Sequence, residues 1–431
     1  MTVISEDTKT SEAQQFQPQS AALRALLGRG FVNQCTSFAG LDQALCEGVI
    51  PVYIGFDATA DSLHVGHLTQ IMALRRLQEA GHKPIVLMGG GTTRIGDPSF
   101  RSEARPMLTD EQIAGNIAGI RSVFEHFLKF GDGPTDAVMA NNADWLNNLH
   151  YIDMLRDVGV HFSVNRMLSF DSVKSRLERQ DNMSFLEFNY MILQAYDFLE
   201  LSRRFGCRLQ MGGSDQWGNI INGIELIRRT ERQEAFGLTM QLLTTASGEK
   251  MGKTAAGAVW VNADRLSPYD YWQFWRNTDD ADVGRFLRIF TDLPLDEIER
   301  LETVRDAAMN DVKKLLANEA TTLAHGPELA KAAAETARQA FEEGGLAEGL
   351  PVLTLSASEC EVGLEVVELL LRAGLTSSRN EGARLIANGG VRLDGEAVAS
   401  RDIILGISDL AGGRAVRLSV GRKRHVLVKE A

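Results

Sequence analysis

Over its first 230 residues the chain alternates apolar runs of strand length with amphipathic stretches of helix length, and this constrains its fold more than any other feature. Residues 50–56 read as a buried strand and 63–80 as the helix that follows, closed by Gly81. Residues 84–88, 137–140 and 207–211 read as further strands, with a helix over 214–230. Such alternation predicts an α/β fold, a Rossmann-like doubly wound parallel sheet, whose ligands sit in loops at the carboxyl ends of the strands. From about 266 to 341 Glu, Arg, Ala and Leu dominate and the strand signal fades, predicting a helical domain. Residues 342–359 are rich in Gly, Glu and Ser and read as a linker. Residues 360–431 read as a small α+β domain opening with a helix over 362–373, and 1–30 as a polar tail and lead-in.

Charge is unevenly spread along this plan. The whole chain carries −12, yet residues 372–431 hold eleven Lys and Arg against six Asp and Glu, a local +5 that leaves −17 on the rest. An acidic body argues against indiscriminate coating of nucleic acid, while a basic end permits directed RNA contact. No apolar run reaches the length of a membrane span, and the polar start lacks the pattern of a secretion signal, so the cytoplasm is expected and no membrane partner. Cys35, Cys46, Cys207 and Cys360 form no CxxC pair and no zinc spacing with histidine, so neither disulfides nor a structural metal are expected.

Two motifs lie where the fold predicts chemistry. After the first long strand comes His64-Val65-Gly66-His67, with Asp61 or Ser62 placed to cap a helix whose free N–H groups would face an anion. The two imidazoles, three residues apart, share one face, and Gly66 lets a flat group or phosphate approach the backbone. Two incidental surface histidines would look the same. Later comes Gly248-Glu249-Lys250-Met251-Gly252-Lys253-Thr254, two lysines among glycines, either a solvated basic turn or a loop that closes on a triphosphate. It is not a GxxxxGK[ST] phosphate loop, because Ser247 stands where glycine is needed; Arg94 likewise spoils GxGxxG in 89–94. Further along, Tyr190, Gln194 and Asp197 share one face of an otherwise apolar helix, which is costly unless they are partnered or face a ligand. Asp97 sits on a turn after a strand, and Gly212 to Gln216 bring Asp215 and Gln216 beside glycines; a structural polar network would explain either stretch equally well.

Together, an HxGH start and a late KMGKT loop resemble the HIGH and KMSKS signatures of class I aminoacyl-tRNA synthetases, and the stretches around 190–197 and 209–219 resemble the bacterial tyrosyl-tRNA synthetases. The resemblance implies a domain over 31–265 that activates tyrosine with ATP and loads it onto tRNA, with Mg2+ expected on the nucleotide. Residues 145–184 would correspond to a dimer-forming insertion, implying a homodimer, and 266–341 to a domain on the anticodon side. It implies that Tyr53 and Asp197 bond the substrate phenol, that Tyr190, Gln194 and Asp97 hold its ammonium, and that Gln216 faces its carboxyl end. Gly55, Asp57, Thr59, His64, Gly66, His67, Gly212 and Asp215 would bind ATP, with Lys250, Lys253 and Thr254 assisting. A pocket built to pair a hydroxyl rejects phenylalanine strongly, tyrosine enzymes being the standard instance. This chain departs from the family pattern at Ile54, Gln70 and Phe100, and at Gly252-Lys253-Thr254, where Ser-Lys-Ser is usual. The C-terminal stretch resembles a small RNA-binding domain found in a ribosomal protein, which implies phosphate contacts from Arg379, Arg384, Arg422, Lys423 and Arg424. A tryptophan-specific synthetase and a non-catalytic RNA-binding relative are the rival readings. The first should lack a partner like Asp197, and the second should have lost one of the two motifs.

Overall fold

The computed structural model describes residues 16–97, 107–246, 248, 251–254, 257–339, 350–410, 415–421 and 424–430. Two compact units emerge. One draws on the chain up to Met251 plus Arg285–Ile298; the other draws on Gly252–Gly284 plus the chain from Glu299. Lys250, Phe100, Arg422 and Lys423 lie outside the described residues, as does part of the expected tail and linker.

The first unit is built on six strands: β1 (Val32–Cys35), β2 (Pro51–Phe56), β3 (Lys83–Met88), β4 (Val138–Asn141), β5 (Leu209–Gly213) and β6 (Phe236–Met240). Their spatial order is β1-β6-β5-β2-β3-β4. All neighbours are parallel except the β1–β6 pair, so the expected parallel sheet carries an antiparallel edge. The strand order reverses between β2 and β5, where Tyr53 stands opposite Gln210. A crevice opens at the carboxyl ends of strands at such a reversal.

Among the helices that flank the sheet are α1 (Leu68–Glu79), α2 (Asp110–Phe127), α3 (Phe185–Phe205) and α4 (Trp217–Thr230). Ser184 and Glu187 cap α3 reciprocally, and Gly206, at φ 65°, ends it in the left-handed region that glycine tolerates. Asp61 and Ser62 do not cap a helix as expected. A 3-10 turn, Val65–His67, precedes α1, and His64 caps it by accepting from the Gly66 N–H. The buried Ser62 hydroxyl instead donates to the Leu63 carbonyl. Likewise 214–216 form a 3-10 turn ahead of α4, so both expected helices start late.

In the second unit, helices α5 (Pro268–Arg276), α6 (Met309–His325) and α7 (Pro327–Arg338) pack together. Beyond them are β7 (Val352–Leu355), helices α8 (Val366–Arg372) and α9 (Arg379–Ala387), and strands β8 (Val391–Leu393), β9 (Glu396–Ala397), β10 (Val416–Val420) and β11 (Arg424–Glu430). The sheet order is β9-β8-β10-β11-β7. Residues 342–359 are therefore not linker throughout: 352–355 are a strand parallel to β11, with Leu355 buried and Leu353 packed against the core. The helix expected over 362–373 begins at Val366, because Ala357–Val362 is a separate helix closed by Gly363 at φ 76°. Asp394 and Gly395 both have positive φ, the turn that matches hairpin twist between β8 and β9.

Candidate active site

The loops after β2, β3 and β5 enclose a cavity of about 350 Å3 in the first unit. Tyr53, Gly55, Asp57, Thr59, His64, Gly66, His67, Asp97, Tyr190, Gln194, Asp197, Gly212, Asp215 and Gln216 all line it, and so do Ile54 and Gln70. Residues 160 positions apart in sequence thus share one space, which is the placement that the strand reversal predicts.

At its apolar end stand Tyr53 and Asp197. The Tyr53 ring packs on Phe198 with centroids 5.2 Å apart, and its buried hydroxyl finds no hydrogen-bond partner among the described residues. Burial, and then the negative Asp197, hold that hydroxyl well above the ordinary tyrosine range, so it stays protonated. Asp197 is 2% exposed. It accepts from Asn142 Nδ2 at 2.9 Å and from Trp145 Nε1 at 2.7 Å. Burial pushes its carboxyl up to about 7 against those two bonds, with Asp57 and Glu200 adding to the rise. A hydroxyl without a partner beside a doubly anchored carboxylate is a costly arrangement in an unliganded protein, and it suits a ligand that brings one more hydroxyl.

Next to it is a belt of polar groups. Asp57 accepts from Thr92 at 3.0 Å and from Tyr190 at 3.3 Å. Gln216 donates to Asp97 at 2.9 Å and accepts from Gln194 at 3.2 Å, while Asn219 donates to both glutamines. The structure thus joins Asp57, expected with ATP, to Tyr190. A carboxylate there attracts an ammonium and repels an unscreened phosphate. A Cβ on Gly89 would come within 2.4 Å of Asp57 Oδ1, so glycine alone allows this approach.

At the far end His64 and His67 lie with ring centroids 4.0 Å apart. Nδ1 of His64 accepts from the Gly66 N–H at 3.1 Å, and Nδ1 of His67 accepts from the His64 N–H at 3.3 Å. An Nδ1 that accepts leaves Nε2 to carry the proton in each neutral ring, so both rings are set as Nε2–H donors. Gly66 is required sterically: a Cβ would lie 2.8 Å from His64 Cε1 and 2.9 Å from the Met251 carbonyl. Of the lysine loop, Met251 lines the cavity. Lys253 and Thr254 form a two-residue strand against Gly257–Ala258 in the other unit, and Gly248 and Gly252 take φ of 83° and 93°.

Sequence reasoning missed Asn142, Trp145, Thr92 and Asn219. The first two directly follow β4, so the rule that sites gather after parallel strands would have pointed to them. In the second unit Arg379, Arg384 and Arg424 are exposed; Arg379 pairs with Glu368 at 2.8 Å, and Arg424 donates to the Gly374 carbonyl at 2.9 Å.

Comparison with known proteins gives a consistent picture. Residues 46–342 match the family described as class I tRNA synthetases (W and Y). The chain is 62% identical to a tyrosine–tRNA ligase of Rhodospirillum rubrum, across 96% of this chain and 98% of that protein. It is 59% identical to one of Dinoroseobacter shibae, across 96% and 99%. Among solved structures, a C-terminally truncated mitochondrial tyrosyl-tRNA synthetase of Aspergillus nidulans is similar at a TM-score of 0.68 and 29% identity, over 78% of this chain and 98% of that one.

Proposed function

Since this chain belongs to the class I tRNA synthetase family of the tryptophan and tyrosine enzymes, and is a ligase that joins tyrosine to tRNA, we propose that the cavity of the first unit selects tyrosine at its apolar end and holds ATP at its histidine end. The observation that carries this is the pair Tyr53 and Asp197, both buried, with the Tyr53 hydroxyl unpartnered among the described residues. A substrate phenol would accept from Tyr53 and donate to Asp197, satisfying both. Phenylalanine would leave the Tyr53 hydroxyl without a partner and bring Asp197 no further donor, and tryptophan would place an N–H elsewhere. Asp57, Asp97, Tyr190 and Gln194 would hold the ammonium, with Gln216 toward the carboxyl end, and Gly212 and Asp215 against the ribose. Thr59 and the Nε2–H groups of His64 and His67 would bind phosphates, with Lys250, Lys253 and Thr254 joining them as pyrophosphate leaves.

The reaction needs positioning more than a protein nucleophile. The tyrosine carboxylate attacks the α-phosphorus, the bond to the pyrophosphate oxygen breaks, and the histidine donors stabilise charge building on that leaving group. A terminal hydroxyl of the tRNA then attacks the carbonyl of tyrosyl-adenylate and releases AMP. Among the described residues no three His, Cys, Asp or Glu side chains gather into a metal cage. A Mg2+ would instead enter on the phosphates as part of the substrate.

The C-terminal residues Arg379, Arg384, Arg422, Lys423 and Arg424 would contact the tRNA backbone. A homodimer is the proposed assembly, supported by Ile152 and Val160, which leave apolar side chains about 70% exposed within 145–184, with Phe185 similarly exposed just beyond. The cytoplasm, where ATP and tRNA are pooled, is the proposed location; among the described residues no helix is long and apolar enough to cross a membrane. ATP–pyrophosphate exchange across the twenty amino acids tests the pocket. Exchange with tyrosine far above phenylalanine and tryptophan is expected, and equal exchange with phenylalanine would remove the role given to Tyr53 and Asp197.

A further inference from the structure

Beyond the Tyr53–Asp197 pair, helix α3 carries a second tier of charged side chains, Glu200, Arg203 and Arg204, none of which lines the cavity. Asp197, Glu200 and Arg204 stand at i, i+3 and i+7 of α3 and so share one face. The Arg204 guanidinium carbon sits 5.2 Å from the centre of the Trp145 ring. On its edge that ring presents the Nε1–H that donates to Asp197 Oδ1. Arg204 is itself held, its Nε–H donating to Glu200 Oε2 at 2.8 Å. Arg203 donates to the other Glu200 oxygen at 3.1 Å and reaches on to Glu231 at 2.7 Å.

A cation over an indole face draws electron density from the ring, which makes the edge N–H a stronger donor. Resting on the reading that Asp197 accepts the substrate phenol, we infer that Arg204 is a positioning residue for tyrosine selection, acting through the Trp145 ring to hold the Asp197 carboxylate aimed at the substrate hydroxyl. Charge balance points the same way. Glu200 and Asp57 both favour the protonated form of Asp197, while the two arginines offset Glu200 and hold its own carboxyl below the ordinary range. Among the described residues the Tyr53 hydroxyl also faces Asp197 and stays neutral, with the Cys207 thiol, held protonated by burial, beside it, while the Tyr196 hydroxyl, raised by burial and by Glu200, bonds Glu200.

Tyrosine-dependent ATP–pyrophosphate exchange by the full chain, followed across about pH 5.5 to 9, tests this with Arg204→Met, Arg204→Lys and Glu200→Gln. Arg204→Met should raise KM for tyrosine roughly threefold to tenfold with kcat little changed, because the phenol end is remote from the reacting carboxylate. It should also move the acid limb of kcat/KM to higher pH. Arg204→Lys should recover most of the affinity, since an ammonium can occupy the same ring face, and Glu200→Gln should move the limb to lower pH. An unmoved acid limb in both Arg204→Met and Glu200→Gln would overturn the inference. So would equal losses in the Met and Lys variants with the limb unmoved, which would mark simple packing. Asp197→Asn separates the two levels: if it leaves the preference of tyrosine over phenylalanine intact, the phenol contact fails and this inference with it; if that preference collapses while Arg204→Met changes nothing, only the role of Arg204 fails.

Discussion

Replacing Asp197 by Asn should change how the stability of the first unit depends on pH, not merely how large it is. In the unliganded protein this carboxyl titrates at about 7 in place of 3.8, first because it is buried. Between those values the native state holds a proton that the unfolded chain has released. Stability therefore falls as pH rises through that window, the reverse of a salt-bridged carboxylate, and the full loss is present above the folded value. Three units at 1.36 kcal/mol each give a cost of about 4 kcal/mol at and above neutral pH. Asn does not titrate. Its NH2 would meet the donors of Asn142 or Trp145, an offset of about 1–3 kcal/mol that is the same at every pH. Wild-type and variant curves should thus close on each other or cross by about 4 kcal/mol between roughly pH 4 and 7 and run parallel outside that range. Hydrogen exchange of the α3 amides, measured by mass spectrometry, reads local opening of this unit regardless of the other. Parallel curves throughout would refute the reasoning, because they would mean Asp197 ionises in the folded protein as it does in water.

Other outcomes follow from the same geometry. Tyr53→Phe removes a buried hydroxyl that has no partner among the described residues, so melting should show unchanged or higher stability, by up to about 2 kcal/mol, while exchange assays lose about tenfold of the preference for tyrosine over phenylalanine. Gly66→Ala pushes a Cβ against His64 and the Met251 carbonyl; far-UV dichroism should be unchanged while kcat/KM for ATP falls at least about tenfold. Ending the chain after residue 349 removes the C-terminal sheet whole, including the β7 strand that pairs with β11. Adenylation should stay within about twofold while tRNA charging drops at least about tenfold, and unchanged charging would dismiss the RNA role of Arg379, Arg384 and Arg424.

Much of this site was legible because its chemistry is local. The histidines and Gly66 are neighbours in the chain, and Tyr190, Gln194 and Asp197 follow helical spacing, so periodicity alone places them on one face. Element ends were less legible. The late starts at Leu68 and Trp217 come from 3-10 turns, whose i to i+3 bonds leave no mark in the apolar period. The strand Val352–Leu355 hid in a Gly- and Glu-rich stretch because it is four residues long, and its partner lies more than 70 positions away in the chain.

By itself the sequence determined which elements form, which side chains share a helix face, and which glycines could let a substrate approach, since all of these depend on neighbours within a turn or two. Sheet order was decided only in three dimensions, because parallel strands pair across long crossovers and local pattern cannot say which strand lies beside which. That order sets Tyr53 against Gln210, brings Tyr190 to Asp57 across 133 positions, and delivers Asn142 and Trp145 to Asp197. The buried carboxyl takes its weakened acidity from that convergence, since desolvation is a property of everything packed around a group and not of the residues beside it in the chain.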